Sequence, residues 1–230
     1  MREIVFDTET TGLNPNKGDR ITEIGCVEVI NYIPTGRQFH RYINPERDIP
    51  AEVVKITGLT YDFLKDKPKF SEICDEFLDF VSGDRLVAHN ANFDKGFVNA
   101  ELGRQSIPPF ADERFFDTLE LARTMFPGAY NSLDALCNRF NINLDKRDKH
   151  GALIDAELLA SVYLELNGGR ERRLSFDAPV KCEGSPDTVP APLTRPHALP
   201  PRLTDAERNA HAAFVQTLGE TAVWRRFFDA

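Results

Sequence analysis

An apolar run that leads into two closely spaced acids, near the start of the chain, constrains the fold more than any other feature. Ile4-Val5-Phe6 is typical of a buried strand, and Asp7 and Glu9 follow it. Side chains two positions apart lie on the same face of a strand, so Asp7 and Glu9 are predicted to point the same way. Two neighbouring carboxylates repel each other and are stabilised by cations. Hard divalent ions such as Mg2+ or Mn2+ prefer such oxygen ligands, although acids at strand ends are often simply solvated.

The charge balance limits how this chain could hold a polyanion. Its formal net charge is −8 across 230 residues, which argues against non-specific nucleic-acid binding through a basic surface. A nucleic-acid substrate would therefore need metal ions to supply local positive charge. The apolar share of 41% is ordinary for a globular protein. This length allows one sizeable domain and something smaller.

The cysteines and the first residues indicate a cellular compartment. The four cysteines lie far apart without a CxxC pair, so neither a zinc site nor a disulfide framework is indicated. The chain starts directly with a strand, without the apolar stretch of a signal peptide, and no run is long enough to span a membrane. We therefore expect a soluble, cytoplasmic protein with reduced cysteines and no membrane contact. The cysteines are Cys26, Cys74, Cys137 and Cys182.

The order of predicted elements indicates an α/β fold with a mixed sheet. Three β-type runs, at about residues 4–9, 20–30 and 38–43, are joined by short turns and predict an antiparallel meander. The turn before the third run is placed at Pro34-Thr35-Gly36. Strands alternate with helices after the meander, which predicts parallel strands flanked by helices. Further strands are predicted at 85–89 and 114–117, and helices at 50–57, 71–81 with Ser71 as N-cap, from about Asn92, 118–125, 132–140 and 154–166.

The composition changes after residue 168 and predicts three parts. We expect a domain over 1–168, a proline-rich flexible linker over 169–202 and a C-terminal segment over 203–230. Seven of the fifteen prolines lie between Pro179 and Pro201. The segment begins with a capping box, Thr204-Asp205-Ala206-Glu207, and ends with Trp224, Phe227 and Phe228. A helix this short cannot bury so much aromatic surface alone, so the segment either folds back or docks on a partner, and the tether favours docking.

Two further acids follow strand ends or loops later in the chain. Asp94 ends the sequence His89-Asn90-Ala91-Asn92-Phe93-Asp94, where a strand leads into a helix. There it could be a simple helix cap, just as His89 and Asn90 could be turn residues. Asp155 ends His150-Gly151-Ala152-Leu153-Ile154-Asp155. Positions five apart do not share a helix face, so His150 is predicted to lie in a loop and Asp155 in the helix.

Together these residues form the inventory of a phosphodiester-hydrolysing site. Asp7, Glu9, Asp94 and Asp155 would hold two divalent ions roughly 4 Å apart, which clamp the attacking and leaving oxygens. His150 would take the proton from the attacking water, a role worth about 100 to 10,000-fold in rate.

The three motifs, 6–12, 89–94 and 150–156, resemble those of the DEDDh exonuclease family. The resemblance covers about residues 1–167 and implies an RNase H-like fold that removes nucleotides from 3′ ends with two divalent ions, Mg2+ or Mn2+. It implies metal ligands at the four acids named above and a general base at His150. Substrate contacts are expected from Asp7, Glu9, Thr10, His89 and Asn90, although Thr10 could equally be a turn residue.

The C-terminal segment is similar to that of proofreading subunits of bacterial replicative DNA polymerases. The resemblance implies a single-stranded or frayed DNA 3′ end as substrate and the catalytic polymerase subunit as partner. A sliding-clamp peptide is expected just beyond the domain, with Leu174 and Phe176 as candidate anchors, but the glutamine usual in such peptides is missing. The basic stretch Lys146-Arg147-Asp148-Lys149 is either a phosphate contact or solvated surface.

Two other functions stay open at this point. One is a free-standing exoribonuclease or repair exonuclease of the same family, which would need no C-terminal segment. The other is a scaffold without catalysis that only steadies a polymerase; the complete set of acids and His150 argues against it.

Overall fold

The computed structural model of this chain describes residues 1–144, 150–169 and 203–219. The chain separates into two compact units, Met1–Ser175 and Phe176–Ala230. The boundaries expected from composition, after residues 168 and 202, stay predictions. The basic stretch 146–149, the clamp anchors Leu174 and Phe176, and the aromatic residues after position 220 lie outside the described residues.

The first unit is built on a five-stranded mixed sheet, which confirms the predicted α/β, RNase H-like fold class. The strand order is β3-β2-β1-β4-β5. The first three strands form the predicted antiparallel meander, and β4 and β5 run parallel to β1. The strands are β1 Arg2–Thr10, β2 Ile21–Ile30, β3 Ile33–Tyr42, β4 Arg85–Ala88 and β5 Phe115–Asp117.

Seven α-helices accompany the sheet in the described part of the first unit, and one described α-helix belongs to the second unit. The predicted helix starts and ends hold within a few residues, but the short α2 has no counterpart in the sequence-based prediction. The helices are α1 Ala51–Thr57, α2 Tyr61–Leu64, α3 Phe70–Val81, α4 Ala91–Arg104, α5 Thr118–Met125, α6 Leu133–Arg139, α7 Ala152–Leu166 and α8 Asp205–Thr217. Among the described residues, none of these helices has the length and apolar character required to cross a membrane.

The turn between β2 and β3 lies earlier than predicted. Ile30 pairs with Ile33, and the two residues between them, Asn31 and Tyr32, have φ of 51° and 69°. Two consecutive positive φ values are those of a two-residue hairpin whose twist matches the flanking strands. The predicted position of the hairpin turn, 34–36, is therefore wrong, because these residues lie within β3, where the register with β2 shifts between Val27 and Val29. Pro34 is tolerated there since β3 is an edge strand.

The start of α3 also differs from the prediction. The helix begins at Phe70, whose side chain is buried, and the N-cap position is Lys69 rather than Ser71. The backbone N–H of Lys69 donates to the Glu72 carboxylate at 2.7 Å. The acid three positions along therefore satisfies the helix end, so a serine hydroxyl is not needed.

The two faces of the sheet carry two separate cores. Ile4 and Phe6 of β1 belong to the core that includes residues of α3 and α4. Val5 belongs to the other core, together with residues of α7 such as Leu159 and Tyr163. Because side chains alternate along a strand, Asp7 and Glu9 continue the row that faces α7. Thr8 continues the row that faces α4.

Gly25 of β2 lets the start of α7 approach the sheet. Gly25 is the register partner of Asp7. A Cβ at this position would lie 2.2 Å from the backbone nitrogen of Leu153 and 2.3 Å from the carbonyl carbon of Ala152. Real side chains do not come this close to a backbone, so only glycine fits here. The contact places the first turn of α7, and with it Asp155, beside Asp7.

Gly25→Ala is expected to lower the free energy of unfolding by about 1–3 kcal/mol, because the added methyl group pushes the start of α7 off the sheet. Urea denaturation measures this change. Gly83→Ala is the matched control, since a Cβ there meets nothing within 4 Å. Equal stability of the two variants would contradict the close approach at Gly25.

The second unit contributes one described helix, α8, and its predicted capping box is present. The backbone N–H of Glu207 donates to Thr204 Oγ1 at 3.3 Å, and the backbone N–H of Thr204 donates to the Glu207 carboxylate at 2.9 Å. Gly219 follows the helix with a positive φ of 78°. The start of the helix therefore forms as the sequence predicts.

Candidate active site

Asp7 lies at the centre of a cluster of carboxylates near the end of β1. Its pKa is raised well above the ordinary value, first by burial and then by the negative charges of neighbouring acids. Ordered by the size of their effect, these neighbours are Asp94, Glu9, Asp155 and Glu23. The structure thus brings the four predicted acids together from β1, α4 and α7.

Asp94 reaches the cluster from the first turn of α4. Its side chain is 3% exposed, and the hydroxyl of Thr8 donates to its Oδ1 at 2.7 Å. Burial raises the pKa of Asp94 to about 7, and the Thr8 hydrogen bond partly opposes this rise. The backbone turn before α4 is fixed by Asn90, whose N–H donates to Asp117 at the end of β5 at 3.0 Å.

Asp155 and His150 come from the start of α7. Asp155 is buried in the first turn, and its backbone N–H donates to the carbonyl of Gly151 at 2.9 Å. His150 precedes the helix, as predicted, and its side chain is 49% exposed. Its Nδ1 lies 3.2 Å from Oδ2 of Asp155. The imidazole is therefore held beside the acids while one side of the ring faces solvent.

The donor set fits divalent cations. Glu9, His150 and Asp155 each offer a ligand atom within 4.8 Å of the others. Carboxylates this close together repel each other, and a bound cation replaces this repulsion by attraction. Oxygen donors of this kind suit hard divalent ions. The residues present are thus the right chemical types for the metal that the sequence predicts.

Glu23 is a member of the cluster that the sequence did not identify. It is the register partner of Glu9 on β2 and is only 3% exposed. Its Oε1 lies 2.7 Å from Nε2 of His40 on β3. The sequence signal for Glu23 was an acid inside an apolar run. Its position beside Glu9, however, depends on the register of β1 and β2.

The three predicted substrate contacts outside the acids lie in different surroundings. Thr10 donates its hydroxyl to the carbonyl of Gly12 at 2.6 Å, as a turn residue does. It also borders a cavity of about 400 Å³ formed by residues 8–13, Phe93 and residues of α1 such as Val53 and Ile56. Asn90 is exposed at the start of α4.

His89 is held by protein groups at both ring nitrogens. Nε2 lies 2.9 Å from the carbonyl oxygen of Asn131, and Nδ1 lies 2.9 Å from Oγ1 of Thr118. Burial lowers the pKa of His89, which favours the neutral ring. The carbonyl oxygen of Asn131 can only accept, so Nε2 carries the proton and donates to it. His89 therefore joins the end of β4 to the loop before α6.

The raised pKa of Asp94 predicts a pH effect on the metal-free protein. The pKa is about 7 in the folded state against an ordinary 3.8. The proton is thus bound more tightly in the folded state, so this stabilisation is complete below about pH 4 and is lost as pH rises through about 7. Relative to Asp94→Asn, the wild type should lose stability between about pH 4 and 7, by at most on the order of 4 kcal/mol. Thermal unfolding in EDTA across this range measures it, and parallel curves for the two proteins would contradict it.

Fold and family together define a 3′→5′ exonuclease. The sequence model described as Exonuclease (RNase_T) matches residues 4–163. Exonuclease X in complex with 5′ overhanging duplex DNA is 26% identical, with a TM-score of 0.57 over 71% of this chain and 90% of that one. The nuclease domain of 3′hExo, a DEDDh family member bound to rAMP, is 19% identical and shares the fold, with a TM-score of 0.62 over 74% of this chain and 94% of that one.

Relatives that match almost the whole chain narrow the family assignment. The DNA polymerase III subunit epsilon of Rickettsia felis is 45% identical over 226 residues, which cover 96% of this chain and 99% of the relative. The subunit epsilon of Escherichia coli K12 is 41% identical over 236 residues and 97% of both chains. The chain belongs to the exonuclease family and, within it, to the DNA polymerase III epsilon subunits.

Proposed function

We propose that this chain releases 5′-mononucleotides from DNA 3′ ends and so removes mispaired primer ends for bacterial DNA polymerase III. The observation that carries the proposal is the convergence of Asp7, Glu9, Asp94 and Asp155 in one cluster, with His150 at its solvent side. The complete set of acids argues against a scaffold without catalysis, because a scaffold would not need them.

The four acids are proposed to hold two divalent ions, Mg2+ or Mn2+. Such ions supply the positive charge that the acidic protein itself lacks and stabilise the charge that develops on the phosphate. His150, half exposed beside Asp155, takes the proton from an incoming water.

The 3′-terminal nucleotide is proposed to lie in the cavity beside Thr10. Val53, Ile56 and Phe93 offer apolar surface to its base and sugar, while Glu9 faces the same cavity. A volume of about 400 Å³ lies within the range of small-ligand sites. A mismatched end separates into single strand at lower cost than a paired end, so the cavity selects frayed ends.

The partner is proposed to be the catalytic (alpha) subunit of DNA polymerase III, bound through residues 203–230. The match to the E. coli subunit epsilon covers 97% of this chain. Tethering to the polymerase raises the effective concentration of the 3′ end near the exonuclease domain. The domain therefore needs little DNA affinity of its own. A contact of Leu174 and Phe176 with the sliding clamp, and a cytoplasmic location, are proposed on the same resemblance.

Release of a labelled 3′ nucleotide in the presence of Mg2+ tests the function. The three substrates are a mismatched DNA primer, a matched primer and single-stranded RNA. We expect fastest release from the mismatch and slowest release from RNA. A preference for RNA would support an exoribonuclease instead, and no release from any substrate would support a scaffold.

A further inference from the structure

A second cavity, of about 600 Å³, is lined by residues outside the acid cluster. It is lined by His89 at the end of β4, by Arg123 of α5 and by residues 128–133 at and before the start of α6, which include Tyr130 and Asn131. It shares no lining residue with the cavity beside Thr10. The hydrolysis proposed above does not use it.

The strand register places this cavity next to the acids. Val5 of β1 pairs in parallel with Val87 of β4, so continuation of this register brings His89 beside Asp7. Ala88 in turn pairs with Asp117 of β5. Parallel strands end at a common edge of the sheet. The cavity therefore opens at the same edge as the acids, on the β4–β5 side.

The loop that forms the cavity is held in place by hydrogen bonds. Besides its bond to His89, Asn131 donates from Nδ2 to the carbonyl of Phe126 at 3.2 Å and to that of Ala129 at 3.1 Å. Arg139 donates to Oδ1 of Asn131 at 3.2 Å and to the carbonyl of Tyr130 at 3.4 Å. The cavity is thus preformed, which lowers the entropy cost of binding a ligand there.

Two side chains of this cavity are presented to solvent. Tyr130 is 89% exposed. Arg123 is exposed as well and has no ion pair with the residues that the structure describes. An open aromatic ring beside an unneutralised guanidinium is the combination with which proteins bind single-stranded nucleic acid, the ring for a base and the cation for a phosphate.

We propose that this cavity binds a nucleotide upstream of the 3′-terminal one, with its base stacked on Tyr130 and a phosphate paired with Arg123. This inference rests on the proposed function and specifies how the single strand is held. A base can stack on Tyr130 only when it is unpaired. The cavity therefore requires fraying beyond the terminal nucleotide and adds to the discrimination against matched ends.

The test compares two substrates that differ only in the upstream strand. One is a short single-stranded DNA oligonucleotide; the other is the p-nitrophenyl ester of thymidine 5′-monophosphate, which has no upstream nucleotide. The measured quantity is kcat/KM for the oligonucleotide divided by kcat/KM for the ester. Tyr130→Ala and Arg123→Gln should each lower this ratio about tenfold, as expected for loss of one stacked base or one phosphate contact.

Matched variants separate this role from general effects. Tyr130→Phe keeps the ring and should keep the ratio, and Arg123→Lys should restore most of it. Arg37→Gln removes an exposed charge from edge strand β3, at the other end of the strand order, and should leave the ratio unchanged. Arg123→Gln should also reduce the slope of log kcat/KM against log salt by about 0.7, the value for one phosphate contact on a single strand.

The outcomes distinguish this inference from the proposed function. A wild type that hydrolyses both substrates, with the same ratio in Tyr130→Ala and Arg123→Gln, would overturn the upstream site alone. Equal losses on both substrates would also overturn it, because the loop would then only support the acid cluster. A wild type that cleaves neither substrate would overturn the proposed function as well.

Discussion

Asp7→Asn is expected to lower nucleotide release by about 1,000-fold or more while the domain stays folded. Asp7 is the acid on which the charges of Asp94, Glu9, Asp155 and Glu23 all act, so we expect its loss to weaken the whole cation site. Metal ions provide several kcal/mol of transition-state stabilisation, and each 1.36 kcal/mol changes the rate about tenfold. Steady-state release from a labelled single strand measures the loss.

The same substitution should have an opposite effect on stability. Without metal, Asp7→Asn removes a buried negative charge from a repulsive cluster, so the metal-free variant should unfold at a higher temperature than the wild type. Added Mg2+ or Mn2+ should stabilise the wild type and have little effect on the variant. Asp75→Asn, at an exposed position of α3, is the matched control. Full activity of Asp7→Asn, or an equal metal-induced shift in both proteins, would refute the cation site.

His150→Gln is expected to lower kcat by about 100 to 10,000-fold, the usual contribution of a general base. His150 lies outside α7, half exposed and 3.2 Å from Asp155, so its removal leaves the acids in place. The KM for a single strand and the metal-induced rise in unfolding temperature should therefore change little. Single-turnover kinetics and thermal unfolding with and without Mg2+ measure the two effects. His211→Gln in α8 serves as the histidine control.

A different result for His150→Gln would assign His150 another role. Its ring atoms lie close enough to Glu9 and Asp155 to ligate a cation. If His150→Gln also abolished the metal-induced stabilisation, the residue would be a ligand rather than a base. Unchanged kcat would remove it from the mechanism.

The acid motifs were predictable because each one is local. Apolar runs that lead into Asp7 and Glu9, or into His89 and Asn90, indicate strand ends from the sequence alone. The five-residue spacing of His150 and Asp155 likewise indicated that the histidine precedes the helix. To predict that the motifs lie together in space, the fold class is needed as well. The alternation of strands and helices indicated that class.

The remaining features depend on contacts between distant residues. Glu23 lies beside Glu9, and Gly25 faces the start of α7, only because of the register of β1 and β2. His89 stays a predicted substrate contact, and the partners of its two ring nitrogens, Thr118 and Asn131, lie 29 and 42 positions away. The hairpin turn was misplaced because Pro34-Thr35-Gly36 carries the stronger local turn signal, while edge position allows β3 to continue through it.

One measurement tests the central claim most directly: the products formed from a 5′-labelled single-stranded DNA by the full chain, with Mg2+ and with EDTA. We expect a ladder that shortens from the 3′ end one nucleotide at a time, and no cleavage in EDTA or by Asp7→Asn. Internal cuts, release from the 5′ end or undiminished cleavage in EDTA would contradict it.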